Sequence, residues 1–215
     1  MLDSLKENWI YVLVLVVLLI ALVIIWKQAL KASKRTAQRR RELMTKLDRL
    51  KALSEKYDYM PESVLSEIPD CDLIDAVMIR LWRKLGNENE EMENFKLLSL
   101  DEKDIYTAWY VREEVTNDGF FSFFRNCGHA LSGLAQNVFA HIGIDELDAV
   151  MKKACDMFDE NSDTSCDKES VKKLQDEFNS IYDEEKFCKA TADFIRSHGA
   201  SFADEEKETE TGGEN

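Results

Sequence analysis

Proline is almost absent from this chain. Only Pro61 and Pro69 occur in 215 residues, and glycine is scarce at eight. That poverty argues against a turn-rich β fold and favours long helices. Histidine occurs three times, at His129, His141 and His198, too scattered to form a metal cluster. The sequence holds neither a phosphate-cradling glycine loop nor a Gly-x-Ser-x-Gly elbow. The cysteines, Cys71, Cys127, Cys155, Cys166 and Cys188, are odd in number and widely spaced, with no Cys-x-x-Cys pair. They fit neither a disulfide framework nor a zinc site, and predict free thiols in a reducing compartment. No strand-like alternation exceeds the helical periodicity anywhere, so the expected fold is all-α.

What is present begins with a long apolar run. Ile10 to Ile25 is Ile, Val, Leu and Ala broken only by Tyr11, with Trp9 and Trp26 at its ends. Eighteen residues, 9–26, would span ~27 Å as a helix, close to the ~30 Å hydrocarbon core. Trp9, Tyr11 and Trp26 sit where an interfacial aromatic belt belongs. A cleaved signal peptide fits less well. Residues 1–8 carry Asp3 and Glu7 against Lys6, and the bases follow the apolar run instead of preceding it.

Charge is distributed in a step. The formal net charge is −14, but residues 27–56 carry +8 and residues 57–215 carry −21. Lys27, Lys31, Lys34, Arg35, Arg39, Arg40 and Arg41 lie just past the apolar run. By the positive-inside rule they place the C-terminal side in the cytoplasm and the short N-terminus, 1–8, outside. The expected location is the cell (inner) membrane, with a single pass.

Residues 27–59 lack glycine and read as a basic juxtamembrane helix. Its bases suit anionic lipid, at about 1 kcal/mol each. Leu43, Leu47 and Leu50 recur at helical spacing, which would also suit a short coiled coil. Three apolar turns are short for a stable one.

Residues 60–200 read as a compact multi-helix domain, followed by an acidic disordered tail over 201–215. Asp70 or Asp72 should cap a helix running to Leu85, with Leu73, Ile74, Val77, Met78, Leu81 and Leu85 on one face. Gly86 and Asn87 should end it, and Glu88 to Asn94 should be an acidic loop. Ser99 and Glu102 match a capping box opening a helix to about Thr116. Asn117-Asp118-Gly119 should break that helix. Phe120 to Asn126 then packs four phenylalanines into five positions as a short aromatic turn. Further helices are expected over 128–142, 145–158, 169–182 and 184–197.

Around this break the chain resembles the DNA-mimic (DMP-type) family of small acidic bacterial helical domains. The likeness rests on Trp109 and Tyr110, then Glu114-Val115-Thr116-Asn117-Asp118-Gly119-Phe120, then Phe123, Phe124 and Asn126. It covers roughly residues 70–195 and is most specific over 105–145. Thr116, Asp118 and Ser122 depart from the family pattern, in place of Asn, Gly and Gln. The resemblance implies an all-helical fold. One member imitates DNA with surface carboxylates and sequesters a transcription regulator, so it also implies a basic or nucleic-acid-binding protein as partner.

The spacing of Phe120, Phe123 and Phe124 marks them as core anchors, and leaves Phe121 and Arg125 as surface candidates. Carboxylates for a basic partner are Glu88, Glu90, Glu91 and Glu93, or Asp183, Glu184 and Glu185. Cys127 and His129, near Glu113 and Glu114, are the sole hint of a nucleophile and base, but adjacency in sequence does not bring them within reach of one another. Asp159, Asn161, Asp163 and Ser165 alternate as in a calcium loop, yet Thr164 and Ser170 stand where Gly and Glu are needed. No metal, cofactor or direct nucleic-acid contact is therefore expected. The leading expectation is a non-enzymatic membrane-anchored interaction protein. The alternatives are an enzyme with a pocket near residues 113–129 and a self-associating structural membrane protein.

Overall fold

The computed structural model describes residues 40–41, 43–87, 90–159 and 167–205; the side chains of Met92, Cys127, His129, Ala130 and Asp159 lie outside that description. The expected span over 9–26 also lies outside the described residues. Among those described, no helix is long and apolar enough to cross a membrane.

The chain divides into two compact units, 1–52 and 53–215. In the first, residues 43–52 are helical. Leu43, Met44 and Leu47 are all at least half exposed there.

The second unit is all-helical among its described residues. It contains α1 (Glu62–Leu65), α2 (Asp70–Leu85), α3 (Glu91–Leu97), α4 (Leu100–Asn117), α5 (Phe120–Phe123), a π-helical turn (Phe124–Gly128), α6 (His129–Ala135), α7 (Val138–His141), α8 (Asp145–Asp159), α9 (Lys168–Ile181), α10 (Glu184–Ser197) and α11 (Gly199–Phe202). Helix α4 is central: α2, α10 and α11 pack on it, as do α5, α6 and α7. Helices α8 and α9 pair with each other, and α2 pairs with α10.

Local chemistry explains most of the boundaries. Ser99 Oγ accepts from Glu102 N at 3.2 Å, and Glu102 Oε2 accepts from Ser99 N at 2.8 Å, completing the capping box that starts α4. The expected apolar face of α2 is buried, from Leu73 to Leu85. Gly86 ends that helix at φ 76°, and its N–H donates to the Trp82 carbonyl. Asp167 caps α9 by accepting from Glu169 N and Ser170 N, and Asp183 caps α10 by accepting from Lys186 N.

Four expectations about helix boundaries and the tail need correction. Neither Asp70 nor Asp72 caps α2: the cap position is Pro69, and Asp70 is the first helical residue. The acidic loop expected over 88–94 gives way to helix α3 from Glu91, because Phe95 packs on Tyr106 with ring centroids 5.3 Å apart and Leu98 is buried behind it. The single helix expected over 128–142 is interrupted between Ala135 and Val138. The acidic tail is not wholly detached. α11 covers 199–202, and Asp204 is tied to the start of the domain: its carboxylate accepts from Met60 N at 2.7 Å and from Arg80 Nη1 at 2.8 Å.

The free-thiol expectation fails for one pair. Cys71 and Cys188 form a disulfide, Cα to Cα 5.1 Å, joining α2 to α10 across 117 residues. Cys155 is buried, and its thiol donates to the Ser132 carbonyl at 3.6 Å. A pairing across so long a stretch leaves no trace in local spacing.

Candidate functional site

The hinge between α4 and α5 is built as a buckle. Gly119 adopts φ 83°, open to glycine and strained for other residues. A Cβ there would come within 3.1 Å of Gln175 Oε1. Gln175, from α9, spans the break. Its Oε1 accepts from Phe120 N at 3.1 Å, and its Nε2 donates to the Val115 carbonyl at 3.0 Å. On the other side, Glu114 Oε2 accepts from Ser122 Oγ at 3.0 Å and from Asn126 Nδ2 at 3.3 Å, while Asn126 Nδ2 also donates to Ser122 Oγ at 3.1 Å. Glu114, Ser122 and Asn126 thus close a polar triangle over the aromatic turn. Asn117 donates to the Glu113 carbonyl at 2.7 Å, finishing α4.

The phenylalanines fasten this buckle to the rest of the domain. Phe120, Phe123 and Phe124 are buried. Phe120 meets Phe178 of α9 edge-on at 5.6 Å, and Phe124 stacks on Phe158 of α8 at 4.3 Å. Phe121, expected at the surface, is half-buried and meets the same Phe158 edge-on at 5.5 Å. Arg125 is exposed, as expected. The π-helical turn begins at Phe124, so the wider backbone turn coincides with the point where Phe124 must reach α8.

A groove of about 360 Å³ opens beside the hinge. Phe120, Phe121 and Val171 line it together with Asp118, Lys168, Lys172 and Gln175. Glu114 is committed to the triangle, and Glu113 lies 3.5 Å from Arg112. Cys127 and His129 fall among the side chains not described, and so do the calcium-like positions Asn161, Asp163 and Ser165.

A second feature flanks α4. Trp109 is half-buried against Trp82, ring centroids 5.1 Å apart, and beside Tyr110 at 5.3 Å. Its indole N–H is buried without a hydrogen-bond partner among the described residues. Tyr110 leans on Tyr106 at 4.6 Å, and the Tyr106 hydroxyl donates to Glu91 Oε1 at 2.5 Å. Burial, then the Glu91 carboxylate, pushes the Tyr106 phenol well above its ordinary range.

The expected carboxylate cluster is therefore not uniform. Glu91 is half-buried and bound to Tyr106, whereas Glu90 and Glu93 are exposed, Glu93 pairing with Lys96 at 2.8 Å. Glu88 lies outside the described residues. In the other cluster, Asp183 serves as a cap, Glu184 binds Arg112 at 2.7 Å, and Glu185 is exposed. Sequence reasoning missed Gln175, Arg80 and Asp204. Each acts on a segment at least 55 residues away, so no local pattern marks them.

Fold and site together define an acidic helical domain whose aromatic hinge is an internal fastening. Residues 96–198 are similar to the family model described as DMP19-like protein. The match takes in α4 and the whole hinge and runs to the end of α10. No curated protein and no solved structure matches the chain.

Proposed function

We propose that this is a bacterial, single-pass inner-membrane protein that presents its DMP19-like domain to the cytoplasm, where the acidic surface binds a basic protein partner without catalysing a reaction. The observation that carries the reading is the charge step, +8 over 27–56 followed by −21 over 57–215, placed directly after an apolar run of spanning length. A strongly acidic surface attracts basic partners over a Debye length and is repelled by anionic lipid, so tether and domain have opposite preferences. DNA mimicry is the finer form of the proposal, with a nucleic-acid-binding protein held at the membrane. The Cys71–Cys188 bond withdraws the support that free thiols would have lent to a cytoplasmic domain, so orientation rests on the charge bias alone.

Capture from solubilised membranes, with the full chain as bait, tests this reading. Glu90 and Glu93 are the positions to neutralise, because replacing Glu91 would also break its bond to Tyr106. The E90Q/E93Q variant should retain less of a basic partner than the wild type. Equal retention, or no partner, would count against it.

Self-association is the second reading, favoured by the exposure of Leu43 (59%), Met44 (51%) and Leu47 (50%) on helical residues. Sedimentation of the full chain in detergent decides it. A dimer dispersed by L43E/L47E supports the reading, and a monomer in both proteins removes it.

A further inference from the structure

We propose that Cys71, Cys188 and Glu184 form a two-state site: a disulfide when oxidised, and the seat of one thiophilic divalent cation, zinc by its ligand chemistry, when reduced.

The geometry comes from two helices. Glu184 and Cys188 are one turn apart on the same face of α10, and Cys71 enters from the first turn of α2. One ligand atom from each of the three residues lies within 4.8 Å of the others. Cys188 Sγ is 3.7 Å from Glu184 Oε1. Two ligands on one tetrahedral zinc, with Zn–S about 2.3 Å and Zn–O about 2.0–2.2 Å, sit at nearly that separation. Cys71 is exposed, so once the S–S bond is cut its sulfur can turn outward to make room for the ion.

The carboxylate is already oriented by outer partners, as ligating carboxylates usually are. Arg112 Nη2 donates to Glu184 Oε1 at 2.7 Å, and the Tyr182 hydroxyl donates to Oε2. Oε1 keeps a second lone pair for a cation. Two thiolates, one carboxylate and a dication leave one negative charge, which the adjacent Arg112 offsets. The fourth coordination position faces solvent, because Cys71 and Glu184 are both exposed.

The chemistry balances. A dithiol reductant passes two electrons and two protons to the Cys71–Cys188 bond and leaves as its own disulfide. Each cysteine then releases its thiol proton as it ligates the cation.

The test uses the full chain in detergent, reduced with a phosphine, desalted, and titrated with cobalt(II). The reduced wild type should develop a thiolate-to-cobalt charge-transfer band that saturates at one equivalent, is displaced by zinc, and does not form in the oxidised protein. C71S should abolish the band; because it lacks the disulfide, its fold is compared with that of the reduced wild type by circular dichroism, from which an exposed serine should not differ. C188S should do the same at the buried position. E184Q should weaken binding by about tenfold or more. The proposal is overturned by the absence of a band in the reduced wild type, by an undiminished band in C71S, or by unchanged affinity in E184Q.

Discussion

At the scale of single residues, the hinge separates fastening from surface. Phe123 is fully buried, and truncating it to alanine should cost about 3–5 kcal/mol, the usual range for a buried phenylalanine. Arg125, next but one, is exposed, and its alanine variant should stay within about 0.5 kcal/mol of wild type. Gly119→Ala should cost about 1–3 kcal/mol from its positive-φ extended backbone alone, with the close Gln175 oxygen adding to it. Urea denaturation in mild detergent, followed by the fluorescence of the Trp82–Trp109 pair, would rank the three variants. The rank of the phenylalanines was legible in the sequence, since their spacing places three on one side. The half-burial of Phe121 was not, because it depends on Phe158 arriving from α8.

At the scale of elements, the domain is closed by long-range clasps. Reduction of Cys71–Cys188, which ties α2 to α10, should lower stability by about 2–5 kcal/mol, read as a shift in the denaturation midpoint with and without reductant. The second clasp is Asp204 with Arg80 and Met60 N. Hydrogen bonding to the Arg80 guanidinium is the main cause holding the Asp204 carboxyl at about 2, below its ordinary value of 3.8. An acid held down in the folded state stabilises above its unfolded value, and loses that contribution as pH falls through its folded one. The clasp therefore contributes fully above about pH 4 and is lost towards pH 2. With partial exposure it is worth roughly 1 kcal/mol. D204N should reduce stability at neutral pH by about that amount and should flatten the acid limb of the stability profile. Helix starts written in adjacent residues, such as Ser99 with Glu102, could be read directly from the sequence. The helix over 91–97 could not: its acidic residues read as a loop, and it is held by Phe95 against Tyr106 in another helix. The disulfide and the Asp204 clasp were hidden for the same reason, because both join residues more than a hundred positions apart.

At the scale of the whole molecule, one sequence carries two opposed electrostatic characters. Basic residues follow an apolar run, and a strongly acidic helical domain follows them. The family match covers 96–198, leaving α1, α2, most of α3 and the apolar and basic N-terminal sequence outside it. If the acidic surface is the working one, its partner must be basic, and the complex must weaken as salt shortens the range of charge interactions. Affinity capture with the full chain as bait, run in parallel at low and high salt, measures this directly. The account predicts a basic protein that is retained at low salt and largely released at high salt. A partner held equally at both, or one without basic character, would contradict it.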